Sequence, residues 1–262
     1  MNYLKLFGVA ALAIGAILYL ASADDHNVTI GDQDFDLGEF SRISVNTGDD
    51  IKVTVGDGYA LNVKGDEKSV GKIKLYVKGQ TLVIEDKNKF MGGQGREQLE
   101  IAVSLPLLKK FTLNSSANAI INNIHGGMFK IVLNGSGVVD FSGKVDDFRA
   151  EVNGSGALIS LALDIKEGKL DINGSGVASL EGNCNALDIE VNGSGEFNGP
   201  DFKCEKVEID VAGSGDLKVY ASKAIDIDVV GSGDITVFGN PETVKDHSSK
   251  KGHVTIRDYG EV

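Results

Sequence analysis

One phrase recurs six times between residues 134 and 233: Asn134-Gly135-Ser136-Gly137, Asn153-Gly154-Ser155-Gly156, Asn173-Gly174-Ser175-Gly176, Asn192-Gly193-Ser194-Gly195, Ala212-Gly213-Ser214-Gly215 and Val230-Gly231-Ser232-Gly233. Successive copies start 19, 20, 19, 20 and 18 residues apart. A near-constant period of that length marks a solenoid, in which each repeat buries its apolar face only against its neighbours. The residues leading into the phrase alternate apolar and acidic, as in Leu187-Asp-Ile189-Glu-Val191, Val207-Glu-Ile209-Asp-Val211 and Ile225-Asp-Ile227-Asp-Val229. Alternation of period two with β-branched residues on one side means a strand with one buried face. A second short alternating strand follows the phrase, as in Asp216–Tyr220 and Asp234–Phe238.

Equivalent residues should then stack in columns about 4.7–4.9 Å apart, the spacing between paired strands. One inward column would run Phe129, Phe148, Leu187, Val207, Ile225, with the copy at Gly168 out of pattern. Beside it would run Ile131, Ala150, Leu170, Ile189, Ile209, Ile227. The expected fold is all-β: a single-domain, right-handed, parallel β-helix-like solenoid with rungs of about 19–20 residues. The glycines suit rung corners, where positive φ costs them nothing, and Asn before Gly is itself at home in a turn. A phosphate-binding glycine loop would need a helix after it, and a strand follows each copy. The serines lack the Gly-x-Ser-x-Gly elbow of a nucleophile, and six copies cannot each own a base. A ladder of mutually satisfied hydroxyls is their expected role.

The chain opens with Met1–Lys5, a short basic segment, followed by the apolar run Leu6–Leu20 and the small residues Ala21-Ser22-Ala23. That is the pattern of a secretory signal peptide over residues 1–23, too short for a spanning helix. Its removal moves the formal charge from −12 to −13. A strongly acidic exported chain argues against nucleic acid and anionic lipid surfaces as partners. The remainder, 24–262, reads as one solenoid domain with degenerate rungs over 24–113, regular repeats over 114–239 and a closing cap over 240–262. Asn114-Ser-Ser-Ala117 stands one period ahead of Asn134, as a decayed first copy. The mature chain carries no run that would span a membrane.

Cys184 and Cys204 each stand eight residues before their repeat phrase. They should meet on adjacent rungs, within disulfide reach, and export exposes them to oxidising conditions. The other reading is two free thiols acting as small hydrophobes in a column with Val145 and Ile165.

Several stretches resemble the head GIN domain family, the putative auto-transporter adhesin head domain. They are Gly38-Glu-Phe40-Ser-Arg-Ile43, Gly79-Gln-Thr-Leu82-Val-Ile84, Leu105-Pro-Leu-Leu108, the Gly-Ser-Gly repeats and Val237-Phe-Gly-Asn-Pro241. The resemblance covers residues 35 to 258 and implies an exported bacterial β-helix-like protein with an adhesion role. Its implied locations are the periplasm, the outer-membrane surface or the medium, and its implied partners are envelope or extracellular proteins or glycans.

The outward strand positions hold the least ordinary feature. One column should run Glu151, Asp171, Glu190, Asp210, Asp228. Its neighbour begins Lys130, Arg149, Lys169 and switches to Asp188, Glu208, Asp226. From Asp188 to Asp234 there are eleven acids against four lysines. Unit charges about 4.8 Å apart repel by about 0.9 kcal/mol in water and more at lower dielectric. Such a face either binds a cation, with Ca²⁺ the natural candidate, or docks a basic partner, or is simply a solvated surface. The rival class is a polysaccharide lyase or hydrolase, for which a β-helix is a familiar scaffold. Such enzymes need a groove walled by long loops around paired carboxylates or a metal. The connections here are about four to six residues, and His26, His125, His247 and His253 lack ligand spacing. Neither catalytic residue nor cofactor is expected.

Overall fold

A computed structural model describes residues 27–30, 39–56, 58–87, 97–249 and 252–257. The signal-peptide segment lies outside the described residues. The chain forms a β-solenoid of about seven turns in a single domain.

The regular half consists of six long strands that each bend around most of a turn: β9 (Asn118–Gly135), β10 (Val138–Gly154), β11 (Ala157–Gly174), β12 (Val177–Gly193), β13 (Glu196–Gly213) and β14 (Asp216–Gly231). Each pairs in parallel with the next, and the registers align the expected columns. Phe129, Phe148, Gly168, Leu187, Val207 and Ile225 stand over one another, as do Ile131, Ala150, Leu170, Ile189, Ile209 and Ile227. Every residue of both columns except Gly168 is buried. The Phe148 ring stacks on Phe141 with centroids 5.3 Å apart.

The two glycines of each phrase do different work. The first adopts positive φ in every copy, from 124° at Gly174 to 153° at Gly231. The second has no such φ, but a Cβ on Gly195 would lie 2.4 Å from Ile172 Cγ2 and 3.0 Å from the Gly176 carbonyl. Backbone bonds cross each corner: Ser194 N–H donates to the Gly174 carbonyl at 2.8 Å, and Glu196 N–H to Gly176 at 2.9 Å.

At this corner the structure departs from the expected serine ladder. Among the phrase serines, the bond between hydroxyls joins Ser214 and Ser232, 3.1 Å apart. The ladder belongs to the asparagines. Asn192 donates through its side-chain amide to Asn173, Asn173 to Asn153, Asn153 to Asn134, Asn134 to Asn114 and Asn114 to Asn46, at 2.6–3.3 Å. Positive φ at the first glycine leaves the preceding Asn extended, so its amide meets its copies above and below. An amide offers both donor and acceptor, which lets identical residues stack.

The first half is not a plain succession of rungs. Strands β2 (Arg42–Asn46) and β3 (Asp50–Val55) make the rung that carries Asn46. The chain then runs antiparallel along β4 (Ala60–Asp66), turns through α1 (Glu67–Val70) and forms β5 (Ile73–Lys78), antiparallel to β6 (Thr81–Asp86). β6 and β7 (Glu100–Leu105) lie parallel to β2 and β3 on one side. β8 (Lys110–Leu113) and the start of β9 lie on the other. The β2–β3 rung is thus sandwiched between two rungs that follow it in sequence. A further strand, β1 (Asn27–Ile30), is antiparallel to β4 and completes this end. The opposite end closes with β15 (Asp234–Phe238), β16 (Thr243–Asp246) and β17 (His253–Arg257).

Ser160 is fully buried beside Leu180, and its hydroxyl has no hydrogen-bond partner. A buried unsatisfied hydroxyl carries its desolvation cost without return. Ser160→Ala should therefore raise the unfolding free energy by about 1 kcal/mol, read as a higher urea midpoint at unchanged slope. An unchanged or lower midpoint would show that the hydroxyl is satisfied.

Candidate functional site

The sheet face built by β2, β8 and the second halves of β9–β14 turns its inward positions to the core and a charged array outward. Its first outward column runs Arg42, Lys110, Lys130, Arg149, Lys169, Asp188, Glu208, Asp226, Lys245. Five cations on consecutive rungs give way to three anions. The adjoining column runs Ser44, Thr112, Val132, Glu151, Asp171, Glu190, Asp210, Asp228. Sequence reasoning found the acids and the last three cations of the run. It missed Arg42, because β2 reaches its place below β8 only through the out-of-order topology, and also Lys110, which stands one period ahead of Lys130.

At the switch Lys169 bridges three carboxylates: Asp188 at 3.2 Å, Asp171 at 3.4 Å and Glu190 at 3.6 Å. The hydrogen bond to Asp188 raises the Lys169 pKa, with the nearby carboxylate charges adding to it. Farther along, Lys245 meets Asp226 at 3.2 Å. Asp210 sits among like charges. Partial burial raises its pKa first, and Asp228, Asp188, Glu190 and Asp226 push it the same way. Burial also raises Asp171, with Lys169 pulling against it.

A shallow groove of about 420 Å³ runs along this acidic half. Leu187, Val207 and Ile225 form its floor, and Asp188, Glu208 and Asp226 line its rim together with Lys206 and Lys245. Gly168 contributes no side chain at one end, which leaves the groove open there. Among the described residues, no set of three or more His, Cys, Asp or Glu side chains converges as a metal cage. The six acids Asp188, Glu190, Glu208, Asp210, Asp226 and Asp228 stand on three successive rungs as a ladder two columns wide. The phrase glycines and serines lie at the corner beyond this face and shape the backbone.

Cys184 and Cys204 are register partners on β12 and β13, joined as a disulfide with Cα atoms 4.5 Å apart. Both are buried. The bond ties the rung of Asp188 to the rung of Glu208.

Residues 39–241 match the family described as "Putative auto-transporter adhesin, head GIN domain". The chain belongs to that family. Among solved structures, this head GIN domain protein is similar to a "putative adhesin" from Parabacteroides distasonis, at 20% identity and a TM-score of 0.79, over 89% of this chain and 98% of that one. A "putative adhesin" from Parabacteroides merdae aligns at 19% identity and 0.77, over 88% and 96%. A "putative lipid binding protein" from Parabacteroides distasonis aligns at 23% and 0.76, over 89% and 98%. At such identities the likeness shows a shared fold. No curated protein matches the chain.

Two outcomes follow for this face. An acid whose folded pKa is raised is penalised by folding once ionised; the penalty is absent below its unfolded pKa and complete above its folded one. Asp210→Asn should thus stabilise the protein at pH 7 by a few tenths of a kcal/mol, about 1 °C in Tm, with the gain vanishing as pH falls through the carboxylate range. A gain that does not depend on pH would refute the charge origin. For the disulfide, thiol titration of the unfolded, unreduced protein should find no free thiol. Cys184→Ala/Cys204→Ala should cost about 3 kcal/mol, as expected for closing a loop of roughly this length.

Proposed function

We propose that this head GIN domain is an exported, non-catalytic adhesion module that docks cationic partner surfaces on its acidic half-face. The observation that carries the reading is the groove with an apolar floor under Leu187, Val207 and Ile225 and an acidic rim of Asp188, Glu208 and Asp226. Lys and Arg side chains suit such a place, since their methylene stems cover apolar surface while their heads meet carboxylates. The ladder of acids repels itself: beyond the effect of partial burial, Asp228, Asp188, Glu190 and Asp226 each raise the Asp210 pKa. A cationic partner would relieve that repulsion, so binding adds a gain that the free protein lacks. Membership of an adhesin family supports the same reading. Export rests on the leader pattern of Met1–Ala23, which makes Asp24 the first residue of the mature chain. The partner is then an envelope or extracellular protein or glycan carrying basic groups. Among the described residues the flat strand faces and short connections give no walled cleft of the kind polysaccharide cleavage needs.

Retention on polylysine-coated beads tests the surface. Neutralising the rim with Asp188→Asn/Glu208→Gln/Asp226→Asn should weaken retention about tenfold or more, as loss of three charge-assisted contacts implies. Neutralising three acids elsewhere, Asp146→Asn/Glu181→Gln/Glu205→Gln, should weaken it far less. Equal loss in both variants would reduce the effect to net charge and defeat the reading.

A further inference from the structure

The same sheet face is complementary to itself. Its outward column carries cations at Arg42, Lys110, Lys130, Arg149 and Lys169, then anions at Asp188, Glu208 and Asp226. Consider a two-fold axis lying in the face, along the strands, between the rungs of Arg149 and Lys169. It sets Arg42 of one copy opposite Asp226 of the other, Lys110 opposite Glu208, and Lys130 opposite Asp188, while at the axis Arg149 meets Lys169, two cations held by Asp147 and Asp171 of their own copies. Each pairing occurs twice, since the axis makes the interface isologous. The column is long enough for all eight rungs to take part, and Lys245 stands just beyond the overlap.

We propose that two copies of this chain associate antiparallel, face to face, through this column. The proposal rests on the reading of the acidic half as a docking surface, and it names the occupant: the basic half of a second copy. Three further observations favour a second copy over an unrelated basic partner.

The basic half is offered outward. Arg42 is exposed and Lys110 is half-buried on the outer side of the sheet. Neither is drawn into any ion pair of the described residues. The adjoining positions there, Ser44, Thr112 and Val132, carry no charge that would oppose an incoming acid. At the far end Glu208, Asp210 and Asp228 have no cation paired with them among the described residues either. The unpaired charges of each sign thus sit at opposite ends of one face, on rungs that the two-fold axis superimposes, whereas Lys130, Asp188 and Asp226 would exchange their present partners Glu151, Lys169 and Lys245.

Shape agrees. Strands paired at about 4.8 Å make eight rungs about 38 Å tall, and a five-residue strand is about 16 Å wide. The face therefore offers on the order of 600 Å² per copy, or about 1,200 Å² in all, at the small end of specific interfaces. Its contacts are chiefly charged, so association is weak and governed by salt, with a Debye length near 10 Å at 0.1 M.

Sedimentation equilibrium, on the chain purified as the expressing bacterium processes it, tests the proposal. At about 20 mM salt and 100 µM protein a dimer is expected, dissociating at least tenfold more readily at about 0.5 M. Lys110→Glu/Lys130→Glu alone and Asp188→Lys/Glu208→Lys alone should each be monomeric under the low-salt condition. An equimolar mixture of the two variants should form a heterodimer, because the reversed halves face one another and the native halves do too. Damage to folding would not be rescued by mixing. A chain that is monomeric at low salt, or a dimer indifferent to salt and to both reversals, overturns the proposal. Polylysine retention separates the two readings: a monomer that still binds through Asp188, Glu208 and Asp226 keeps the docking surface and loses the dimer. A monomer that does not bind loses both.

Discussion

The structure depends on how closely backbone can approach backbone at the glycine corner. A Cβ on Gly213 would stand 2.0 Å from the carbonyl oxygen of Gly193, and one on Gly231 would stand 1.8 Å from that of Gly213. No side chain fits there, so the corner is a contact between bare peptide groups. It closes each turn at the same place and holds the period to within a residue or two. A one-residue slip would carry a whole strand's buried set to the outer face. Strict register is therefore what makes one core out of many short strands: Ile131, Ala150, Leu170, Ile189, Ile209 and Ile227 form a continuous file because the corners do not slip.

The same register dictates what the outer surface becomes. Any residue type repeated at one outward position turns into a ladder, and its chemistry decides the consequence. Asparagine gains from repetition, because each amide donates to the one below. Aspartate and glutamate do not: at Asp210 partial burial and then the neighbouring carboxylates raise the pKa. The protein mixes these cases along one face: paired charges around Lys169, unpaired acids toward one end and unpaired cations toward the other. A dipolar face is thus a direct product of stacking, needing no loop and no cleft.

The regular half could be read from the sequence because its repeat is local, each copy lying on the next copy in the chain. Both inward files, the acidic columns and the pairing of Cys184 with Cys204 as register neighbours come from counting residues. Two things could not be counted. Asn46 lies directly under Asn114 although 68 residues separate them, because two later strands, β6 and β7, occupy the other side of its rung. Alternating patterns in β4 and β5 look like those of the parallel strands, so nothing local marks them as antiparallel. Arg42, at the head of the cationic run, was accordingly out of reach, whereas Lys110 lies a countable period before Lys130. The choice between Ser and Asn as the ladder residue needed the structure, since Ser recurs in all six phrases and Asn only in the first four. The weak signal was Asn114, which persists in a copy that has lost its glycines.

The position of the disulfide is explained by the charges. Cys184 and Asp188 share a rung, and Cys204 and Glu208 share the next. These are the first two rungs on which both outward columns are acidic, so Asp188 faces Glu208 and Glu190 faces Asp210 across a single strand spacing. Earlier pairs of rungs have a cation at the junction: Lys130 holds Glu151, and Lys169 holds Asp188. Between β12 and β13 no lysine or arginine lies in either column. A covalent link placed there keeps the two strands in register without electrostatic help, and it does so from the buried side, leaving the outer face free. The rungs beyond it also approach the thinner end of the solenoid, where β16 and β17 are short and Val244 and Ile256 are 41% and 49% exposed. The cross-link thus sits where like-charge repulsion begins and before the core thins out, which lets a self-repelling face be displayed on a stable scaffold.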